Sequence, residues 1–497
     1  MSLLSEHMAA LQVAVPLLAA PICSLLRGGR LPWLLALAVS WFAFYASITL
    51  LIQVVSTGDI SYHMGNWAPP FGIEYRVDAI NAFVLLIVSG ISAIAMPYAR
   101  RSVAHEIDPR RHGQFYTAYL LCLTGLLGVT ITGDAFNIFV FLEVSSLSTY
   151  VLVAAGARKD RRALTAAYNY LVLGTVGATF FVIGVGLLYM VTGTLNIADL
   201  AVRLKPLADS RVVQAGFAFI IIGMGLKLAM FPMHTWLPNA YTYAPSTVTV
   251  FLASTATKVS FYVVLRVMFT IFGPTYGFVP LTLEFIFLPL AVLAMFAGSA
   301  AAIYQTNLKR LFAYSSIAQL GYMVLGVSLG NVTGLTAAVM HLFNHALMKG
   351  ALFMALGCVF LRIGKVSIDS VRGLGREMPW TFAAIAGAGL SLIGVPATVG
   401  FISKWYLILG AVENGWWPVV LLIVASSLLA VIYVWKIIEA AYIGQATEGR
   451  VPVAEAPLEM LIPLWVLVLA NIYFGIDAEL TTSVAGRVAE TFLGGGS

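Results

Sequence analysis

Seven ionisable side chains lie inside stretches of this sequence that are otherwise apolar. They are Glu143, Lys227, Lys258, His341, His345, Lys349 and Lys404. A charge at the centre of a bilayer costs about 3 kcal/mol or more, so membrane helices seldom keep one without a use. Carboxylates, imidazoles and buried amines can all take up and release protons. The set is therefore typical of a relay for protons or ions.

Two of these residues can form a pair. Glu143 lies in the fifth apolar stretch, and Lys227 lies in the seventh, five residues before Pro232. A charge on one partner favours a charge on the other, so the pair could act as a switch. For Glu143 the alternative is a polar anchor between helices, and for Lys227 it is snorkelling towards the surface. His234 is a weaker candidate that could equally cap a half-helix.

Three residues of the eleventh stretch share one helical face. His341, His345 and Lys349 are spaced four residues apart. Three cationic groups in a row cannot all be charged in a medium of low dielectric constant, which suits a histidine that is neutral part of the time. A bis-histidine haem is the rival interpretation, but both histidines stand on one helix and cannot ligate the iron from two sides. We expect no cofactor.

Composition indicates a polytopic membrane protein. Hydrophobic residues make up 60% of the 497 residues and charged residues 10%, with a mean hydropathy of +0.92. Soluble domains carry about 25% charged residues. Cys23, Cys122 and Cys358 are scattered and lack the spacing of a zinc or iron–sulfur site, so no metal is expected. The segment 11–26 is interpreted as a retained first helix, and nucleic acid is not expected as a partner.

Apolar runs of about 20 residues predict fourteen membrane spans in one membrane domain, residues 1–497. The predicted spans are 9–26, 32–55, 78–98, 115–132, 135–155, 163–191, 212–242, 246–270, 284–303, 311–330, 333–361, 379–412, 416–443 and 457–475. Pro232 and Pro396 lie inside the seventh and twelfth runs. Proline breaks a helix interior, and broken membrane helices are pointers to a transport path.

Basic residues are concentrated in one set of alternate loops, with 17 on one side against 6 on the other. The larger set is Arg27, Arg30, Arg100, Arg101, Arg110, Arg111, Arg158, Lys159, Arg161, Arg162, Lys309, Arg310, Arg362, Lys365, Arg372, Arg376 and Arg450. The smaller set is Arg76, Arg203, Lys205, Arg211, Arg266 and Arg487. Because basic loops stay in the cytoplasm, both termini are predicted to lie outside. The predicted location is a bacterial inner membrane.

Three long segments resemble one known family. They are the segment from Phe231 to Ala240 (Phe-Pro-Met-His-Thr-Trp-Leu-Pro-Asn-Ala), the segment from Asn307 to Tyr322 (Asn-Leu-Lys-Arg-Leu-Phe-Ala-Tyr-Ser-Ser-Ile-Ala-Gln-Leu-Gly-Tyr) and the segment from Gly394 to Lys404 (Gly-Val-Pro-Ala-Thr-Val-Gly-Phe-Ile-Ser-Lys). They are similar to the antiporter-like subunits of respiratory complex I, a family that includes the D-type chain of Mrp-type cation/proton antiporters and related membrane-bound hydrogenase subunits.

The resemblance implies an all-α fold of fourteen transmembrane helices, with two inverted five-helix repeats and with helices 7 and 12 broken. The repeats are expected over residues 114–270 and 284–443. By resemblance, Glu143, Lys227, Lys258 and Lys404 are the ionisable residues of helices 5, 7, 8 and 12 in the proton path. The two histidines and Lys349 on helix 11 then bridge the half-channels.

The resemblance also implies a function. Lys404 stands where one complex I subunit usually has glutamate, which favours a chain of the Mrp D type or of the complex I N type. The segment from Tyr241 to Ser246 departs from the Tyr-Tyr-Ala-Pro-Pro usual in the Mrp D type. We expect a transporter subunit that moves H⁺ in exchange for Na⁺, with other membrane subunits as partners. The alternative is a proton-pumping subunit of a complex I-type dehydrogenase or membrane-bound hydrogenase, which would be part of an enzyme.

Overall fold

The computed structural model describes residues 6–26, 30–445 and 451–494. Arg27 and Arg450 of the basic set lie outside these ranges. Within them, thirteen helices are long and apolar enough to cross a membrane. Their α-helical parts are α1 (Met8–Leu25), α2 (Arg30–Thr57), α3 (Ala79–Glu106), α4 (His112–Ile131), α5 (Ala135–Ala154), α6 (Arg162–Thr192), α7a (Arg211–Leu228), α8 (Ser246–Leu265), α9 (Leu288–Ile303), α10 (Leu308–Ser328), α11 (Val332–Ile363), α13 (Trp417–Tyr442) and α14 (Leu458–Ile476). With adjoining 3₁₀ or π turns, four of these spans extend over Pro109–Ile131, Ala135–Arg158, Ser246–Phe272 and Phe278–Ile303.

The two predicted breaks are present. Helix 7 continues after an interruption as α7b (Trp236–Tyr243), and helix 12 consists of α12a (Pro379–Ile393) and α12b (Val399–Glu413). The α12 pair supplies the remaining predicted span. The residue that ends each first half is left-handed, with φ 58° at Ala229 and φ 93° at Gly394. Because the chain cannot continue a helix through such a residue, these turns and the prolines that follow them interrupt the helices inside the bundle.

Polar side chains define where several spans begin. An aspartate or asparagine precedes α3, α5, α10 and α11, and its side chain accepts a hydrogen bond from the backbone N–H three residues later. These caps are Asp78, Asp134, Asn307 and Asn331. Each satisfies a backbone donor that the first turn of a helix leaves free, which matters more where water is scarce.

One end of the bundle carries a small additional layer. Strands β1 (Ile60–His63) and β2 (Glu74–Val77) pair antiparallel in the connection between α2 and α3. A short helix, Ile197–Leu204, lies between α6 and α7a, and α15 (Glu479–Leu493) follows α14. Ring stacking of Phe492 on Phe269, with centroids 5.5 Å apart, fixes α15 to the end of helix 8.

Contacts between loops agree with the alternation of sides predicted from charge. At the arginine-rich end, Arg101 at the end of α3 pairs with Glu459 at the start of α14 through a 2.8 Å contact. At the other end, Arg266 after α8 pairs with Asp78 before α3 at 2.6 Å. Each pair joins segments that the sequence places on the same side. The structure thus supports the grouping of the loops into two ends.

Candidate functional site

Glu143 and Lys227 meet between α5 and α7a. Lys227 Nζ lies 3.5 Å from Glu143 Oε1 and donates a shorter hydrogen bond of 2.6 Å to Ser146 Oγ. The lysine side chain is 5% exposed and the glutamate side chain 24% exposed. The predicted pair across two helices is present, and a serine hydroxyl is the lysine's second partner. The carboxylate is less enclosed than its apolar sequence neighbours indicated.

The end of α7a fixes the position of Lys227. The helix stops at the next residue, Leu228. The Leu226 carbonyl oxygen, in the last turn of α7a, accepts a 3.2 Å hydrogen bond from the backbone N–H of Ala229 and a 2.9 Å hydrogen bond from Trp236 Nε1 of α7b. The indole therefore ties the two half-helices together directly beside the lysine, and the backbone there keeps its hydrogen bonds despite the interruption.

A close helix contact brings α7a against α6. A β-carbon added to Gly223 would lie 2.5 Å from the carbonyl oxygen of Gly177, which is shorter than any real contact of this kind. Small residues at such crossings let membrane helices approach backbone to backbone. Gly223 lies one turn before Lys227, so this contact holds the lysine's half-helix against the bundle.

Lys258 stands in the middle of α8 and is fully buried. Its Nζ donates a 2.5 Å hydrogen bond to the carbonyl oxygen of Ala253 on the same helix. Across the described part of the chain, no carboxylate lies within 4.0 Å of this amine. A charged ammonium in this place has no carboxylate counter-ion, and an uncompensated charge is costly in a buried site.

The stripe predicted on α11 is present. The rings of His341 and His345 are nearly parallel, with centroids 6.0 Å apart. Lys349 continues the same face, and its Nζ donates to Phe312 O at 2.9 Å and to Ser315 Oγ at 2.5 Å. All three side chains of the stripe are buried. Gly350, the residue after Lys349, packs against Ser254 of α8: an added β-carbon would lie 3.3 Å from the Ser254 hydroxyl oxygen, so α8 and α11 are in close contact beside the stripe.

His341 connects this group to the second broken helix. Its Nδ1 lies 2.8 Å from Ser403 Oγ of α12b, and its Nε2 lies 3.0 Å from Gln319 Oε1 of α10. The next residue along α12b is Lys404, which is also buried. The histidine ring thus reaches the residue adjacent to the last lysine of the set.

Lys404 binds the end of the other half of its own broken helix. Its Nζ donates to the carbonyl oxygens of Leu392 and Ile393, at 3.0 and 2.8 Å. These are the last residues of α12a, whose carbonyl oxygens have no partners within the helix and carry the negative end of its dipole. The amine also stands 4.8 Å from the centre of the Tyr322 ring. The interruption of helix 12 therefore supplies the carbonyl oxygens that bind the Lys404 amine.

Several buried polar atoms within this region have no hydrogen-bond partner in the part of the chain that the structure describes. They are both ring nitrogens of His345, Oδ1 of Asn344, Oγ of Ser254 and Oγ1 of Thr247. Buried polar groups are nearly always satisfied, and small numbers of internal water molecules commonly do this. The interface between α8 and α11 thus contains polar atoms as well as apolar packing.

The seven predicted residues, which we call the row, lie on α5, α7a, α8, α11 and α12b, and α8 packs against both α7a and α11. The structure brings Glu143 into contact with Lys227, and it stacks His341 on His345. His234 does not join the row. Its ring stacks on Phe231 in the break of helix 7, with centroids 5.2 Å apart.

One buried charged network was not predicted. Arg266 bonds to Asp78, to Asn81 and, through Nε at 3.0 Å, to the hydroxyl of Tyr262. That hydroxyl donates to Thr130 O at 2.9 Å. The network borders a cavity of about 240 Å³ at the end that carries the β-hairpin. Tyr262 and Arg266 lie four and eight residues after Lys258. This spacing places all three on one side of the helix and could have indicated that Tyr262 and Arg266 are buried as well.

A second unpredicted cluster lies at the arginine-rich end. Glu106 accepts hydrogen bonds from the backbone N–H of Ser246, the shorter being 3.0 Å, and from Ser102 Oγ at 2.8 Å. Lys309 Nζ donates to Ser246 Oγ at 3.2 Å. Ser246 thus bridges a buried carboxylate and a buried ammonium where α3, α8 and α10 meet. Charges at span ends are common, so the sequence alone carried no signal for this cluster.

The chain matches known proteins over most of its length. The family model described as NADH:quinone oxidoreductase/Mrp antiporter, TM, matches residues 132–430. The N-type chain of the NADH-quinone oxidoreductase of Desulforudis audaxviator is 40% identical, covering 96% of this chain and 97% of the relative. The D-type chain of the Na(+)/H(+) antiporter of Alkalihalophilus pseudofirmus is 30% identical, covering 90% of this chain and 89% of the relative.

A solved structure shares the fold. A chain in the structure of the Mrp complex from Dietzia sp. DQ12-45-1b superposes with a TM-score of 0.90 at 25% identity, covering 100% of this chain and 98% of the other. The fourteen-span architecture with its two broken helices is accordingly that of these antiporter-like proteins. This chain belongs to the NADH:quinone oxidoreductase/Mrp antiporter transmembrane family.

Proposed function

We propose that this chain is the proton-translocating subunit of a multisubunit Na⁺/H⁺ antiporter. The observation that carries the proposal is the set of ionisable side chains on neighbouring helices inside the bundle, from the Glu143–Lys227 pair to Lys404. A fold held only by packing has no need for such a row, because each uncompensated charge in a membrane is costly. The Mrp relatives support the antiporter assignment.

The lysines of the row act as proton carriers. Lys258, Lys349 and Lys404 donate to carbonyl and hydroxyl oxygens, which can bind an amine whether or not it is charged. A proton arriving on one lysine makes the neighbouring groups less ready to hold theirs, since like charges repel at low dielectric constant. Each proton that enters thus favours release of the one ahead of it.

The histidines carry protons between the lysines of α8 and α12b. An imidazole can receive a proton at one nitrogen and release another from the opposite nitrogen, which changes its tautomer. His341 has a partner at both nitrogens, in Ser403 and Gln319. The ring nitrogens of His345 are available to water. The stacked pair therefore offers a path along α11 that does not require a side chain to travel.

The Glu143–Lys227 pair gates the row. Lys227 Nζ is closer to Ser146 Oγ, at 2.6 Å, than to the carboxylate, at 3.5 Å. The lysine can thus leave the carboxylate while keeping one hydrogen bond. When Glu143 is protonated, the ammonium loses its counter-ion and passes its proton on towards Lys258. When Glu143 is ionised, it holds the proton on Lys227.

We further propose that residues 114–270 and 284–443 form two inverted repeats, each supplying one half-channel. Two matching loop contacts support this division. Asp134 forms an antiparallel bridge with Asn196, and Asn307 forms one with Ser367. The first residue of each bridge also caps the next helix. An odd number of spans separates the two bridges, so they lie at opposite ends of the bundle, as an inverted repeat requires.

The side with 17 basic residues faces the cytoplasm of a bacterial cell in this proposal, and both termini face outward. Other membrane subunits of the complex cover part of the surface. The side chain of Glu143 is 24% exposed, which supports such a contact, because exposing a carboxylate to lipid costs free energy.

The test uses inverted vesicles from an antiporter-deficient strain that express the chain with its partner subunits. Sodium-driven proton movement is compared for the native chain, Glu143→Gln and the control Glu413→Gln. Glu413 is exposed at the end of α12b, and its carboxylate accepts a hydrogen bond from Thr333 Oγ1. We expect activity in the native complex and in the control, and loss of activity in Glu143→Gln at equal assembly. Full transport by Glu143→Gln would refute the gate.

A redox-driven proton pump is the second candidate, favoured by the 40% identity to an N-type oxidoreductase chain. The same vesicles distinguish the two. If sodium moves no protons through the native complex, but a respiratory electron donor does, the chain is part of a pump and the antiporter assignment is wrong.

A further inference from the structure

A groove at the arginine-rich end of the bundle plays no part in the proton row. It has a volume of about 630 Å³ and lies between α4, the end of α5 and the start of α6. Its walls are apolar and its mouth is basic. The wall residues include Ile107, Phe115, Ala118, Val151, Leu152 and Leu164, and the mouth carries Arg111 and Arg158.

The groove is open on the outer surface of the bundle. Phe115 and Leu152 form a buried floor, while Val151 and Leu164 are 59% and 49% exposed. Arg111 directly precedes the first residue of α4, and Arg158 follows the end of α5, which places both at the membrane–water interface. The apolar wall runs from there along the helices into the hydrocarbon region. A molecule that fills the groove must therefore have a polar head and an apolar tail.

The two arginines lack the carboxylate partners that nearby arginines have. Arg100 and Arg101 pair with Glu459, and Arg162 pairs with Asp160 at 2.6 Å. Neither Arg111 nor Arg158 forms an ion pair within 4.0 Å in the described ranges. Both side chains are exposed and free to turn towards a ligand.

Asp108 is the opposing charge at the mouth. Its carboxylate accepts a 2.9 Å hydrogen bond from the backbone N–H of Arg110. That hydrogen bond and the surrounding arginines lower the pKa of Asp108, so it stays ionised at neutral pH. Two guanidinium groups against one carboxylate leave the mouth with a net positive charge. Its charge therefore complements an anionic head group.

We propose that this groove is a binding site for an anionic phospholipid, with the phosphate held by Arg111 and Arg158 and an acyl chain lying against α4 and α5. Guanidinium groups bind phosphate oxygens in a bidentate manner, and basic pockets between membrane helices suit anionic head groups. The site does not depend on the proton row, so it stands whether the complex is an antiporter or a redox pump.

The complete complex, purified in mild detergent, tests the site by native mass spectrometry. It is titrated with phosphatidylglycerol and, separately, with phosphatidylcholine of the same acyl chains. We expect the native complex to prefer phosphatidylglycerol. The double variant R111Q/R158Q should bind it about thirty-fold more weakly, because each basic residue near an anionic head group contributes a factor of roughly five.

The matched control is R110Q/R161Q, which removes the same charge from the same end without touching the groove lining. It should bind phosphatidylglycerol as the native complex does. Equal binding of the two lipids by the native complex, or native affinity in R111Q/R158Q, would overturn the proposal. So would efficient cross-linking of Val151→Cys to another protein of the complex, because a protein helix would then occupy the groove.

Discussion

Two buried groups of basic side chains in this molecule are stabilised in opposite ways. At the end of helix 8, Arg266 contacts the carboxylate of Asp78 at 2.6 Å and has Tyr262 as a further partner. In the centre of the bundle, Lys258 and Lys349 donate only to carbonyl and hydroxyl oxygens. The first group is neutralised by a counter-ion, and the second is not.

The residue types fit this difference. Arginine keeps its proton at any physiological pH, so a buried arginine needs a permanent counter-ion. A buried lysine can become neutral instead. The Arg266 network therefore connects α3 to helix 8 and fixes their positions, whereas the central lysines can change their protonation. Removing charge should thus harm stability at the first site and transport at the second.

The largest effect is expected from Lys258→Met. The substitution removes the central proton carrier, and transport in vesicles should fall on the order of 100-fold or more, the scale of losing a proton-transfer group. The thermal unfolding midpoint of the purified complex should stay the same or rise, because the substitution removes a buried amine that has no counter-ion. A large fall in the midpoint would mean that Lys258 is structural.

Lys436→Met is the matched control for that variant. Lys436 also lies on a spanning helix, α13, but its Nζ binds the carbonyl oxygens of Ile303 and Gln305, away from the row. Its removal should leave transport near the native rate.

The next effect is expected from Arg266→Gln. Asp78, whose side chain is 18% exposed, would be left without its counter-ion, which should destabilise the complex by about 3 kcal/mol. The double variant D78N/R266Q should recover most of that loss, since no charge then remains. Arg203→Gln breaks the more exposed Arg203–Asp199 pair and should cost less than about 1 kcal/mol. Unfolding midpoints measure all three, and a double variant as unstable as the single one would contradict the account.

Many positions of the row were predictable because they depend on local patterns. The length of the apolar runs predicts the spans, and the positions of the prolines predict the breaks. The spacing of four residues places His341, His345 and Lys349 on one helical face. The same spacing after Lys258 was missed. Arg266 lies near the end of a predicted span, where burial of a charge is not expected, and a tyrosine in an apolar helix does not by itself indicate a polar network.

Partner choice could not be predicted. The sequence indicates that Lys227 has Glu143 as a partner, but the shorter bond to Ser146 depends on how α5 and α7a cross. Glu106 and Lys309 share Ser246 only because α3, α8 and α10 converge there. Contacts of this kind join residues far apart in sequence, and hydroxyl side chains are frequent along every span.

The smallest effect concerns the gate itself, in Ser146→Ala. This variant removes the 2.6 Å partner of Lys227 and leaves the carboxylate of Glu143 as the partner of the amine. If Lys227 keeps its hydrogen bond to Ser146 while it separates from the Glu143 carboxylate, the variant should slow transport by about five-fold. This factor corresponds to the loss of one hydrogen bond of about 1 kcal/mol. Ser145→Ala is the control, because that hydroxyl bonds to Leu142 O of its own helix. Equal transport rates in the two variants would mean that Lys227 does not use Ser146 during transport. The Glu143–Lys227 pair would then be a fixed contact like Asp78–Arg266, unlike the central lysines, which have no counter-ion.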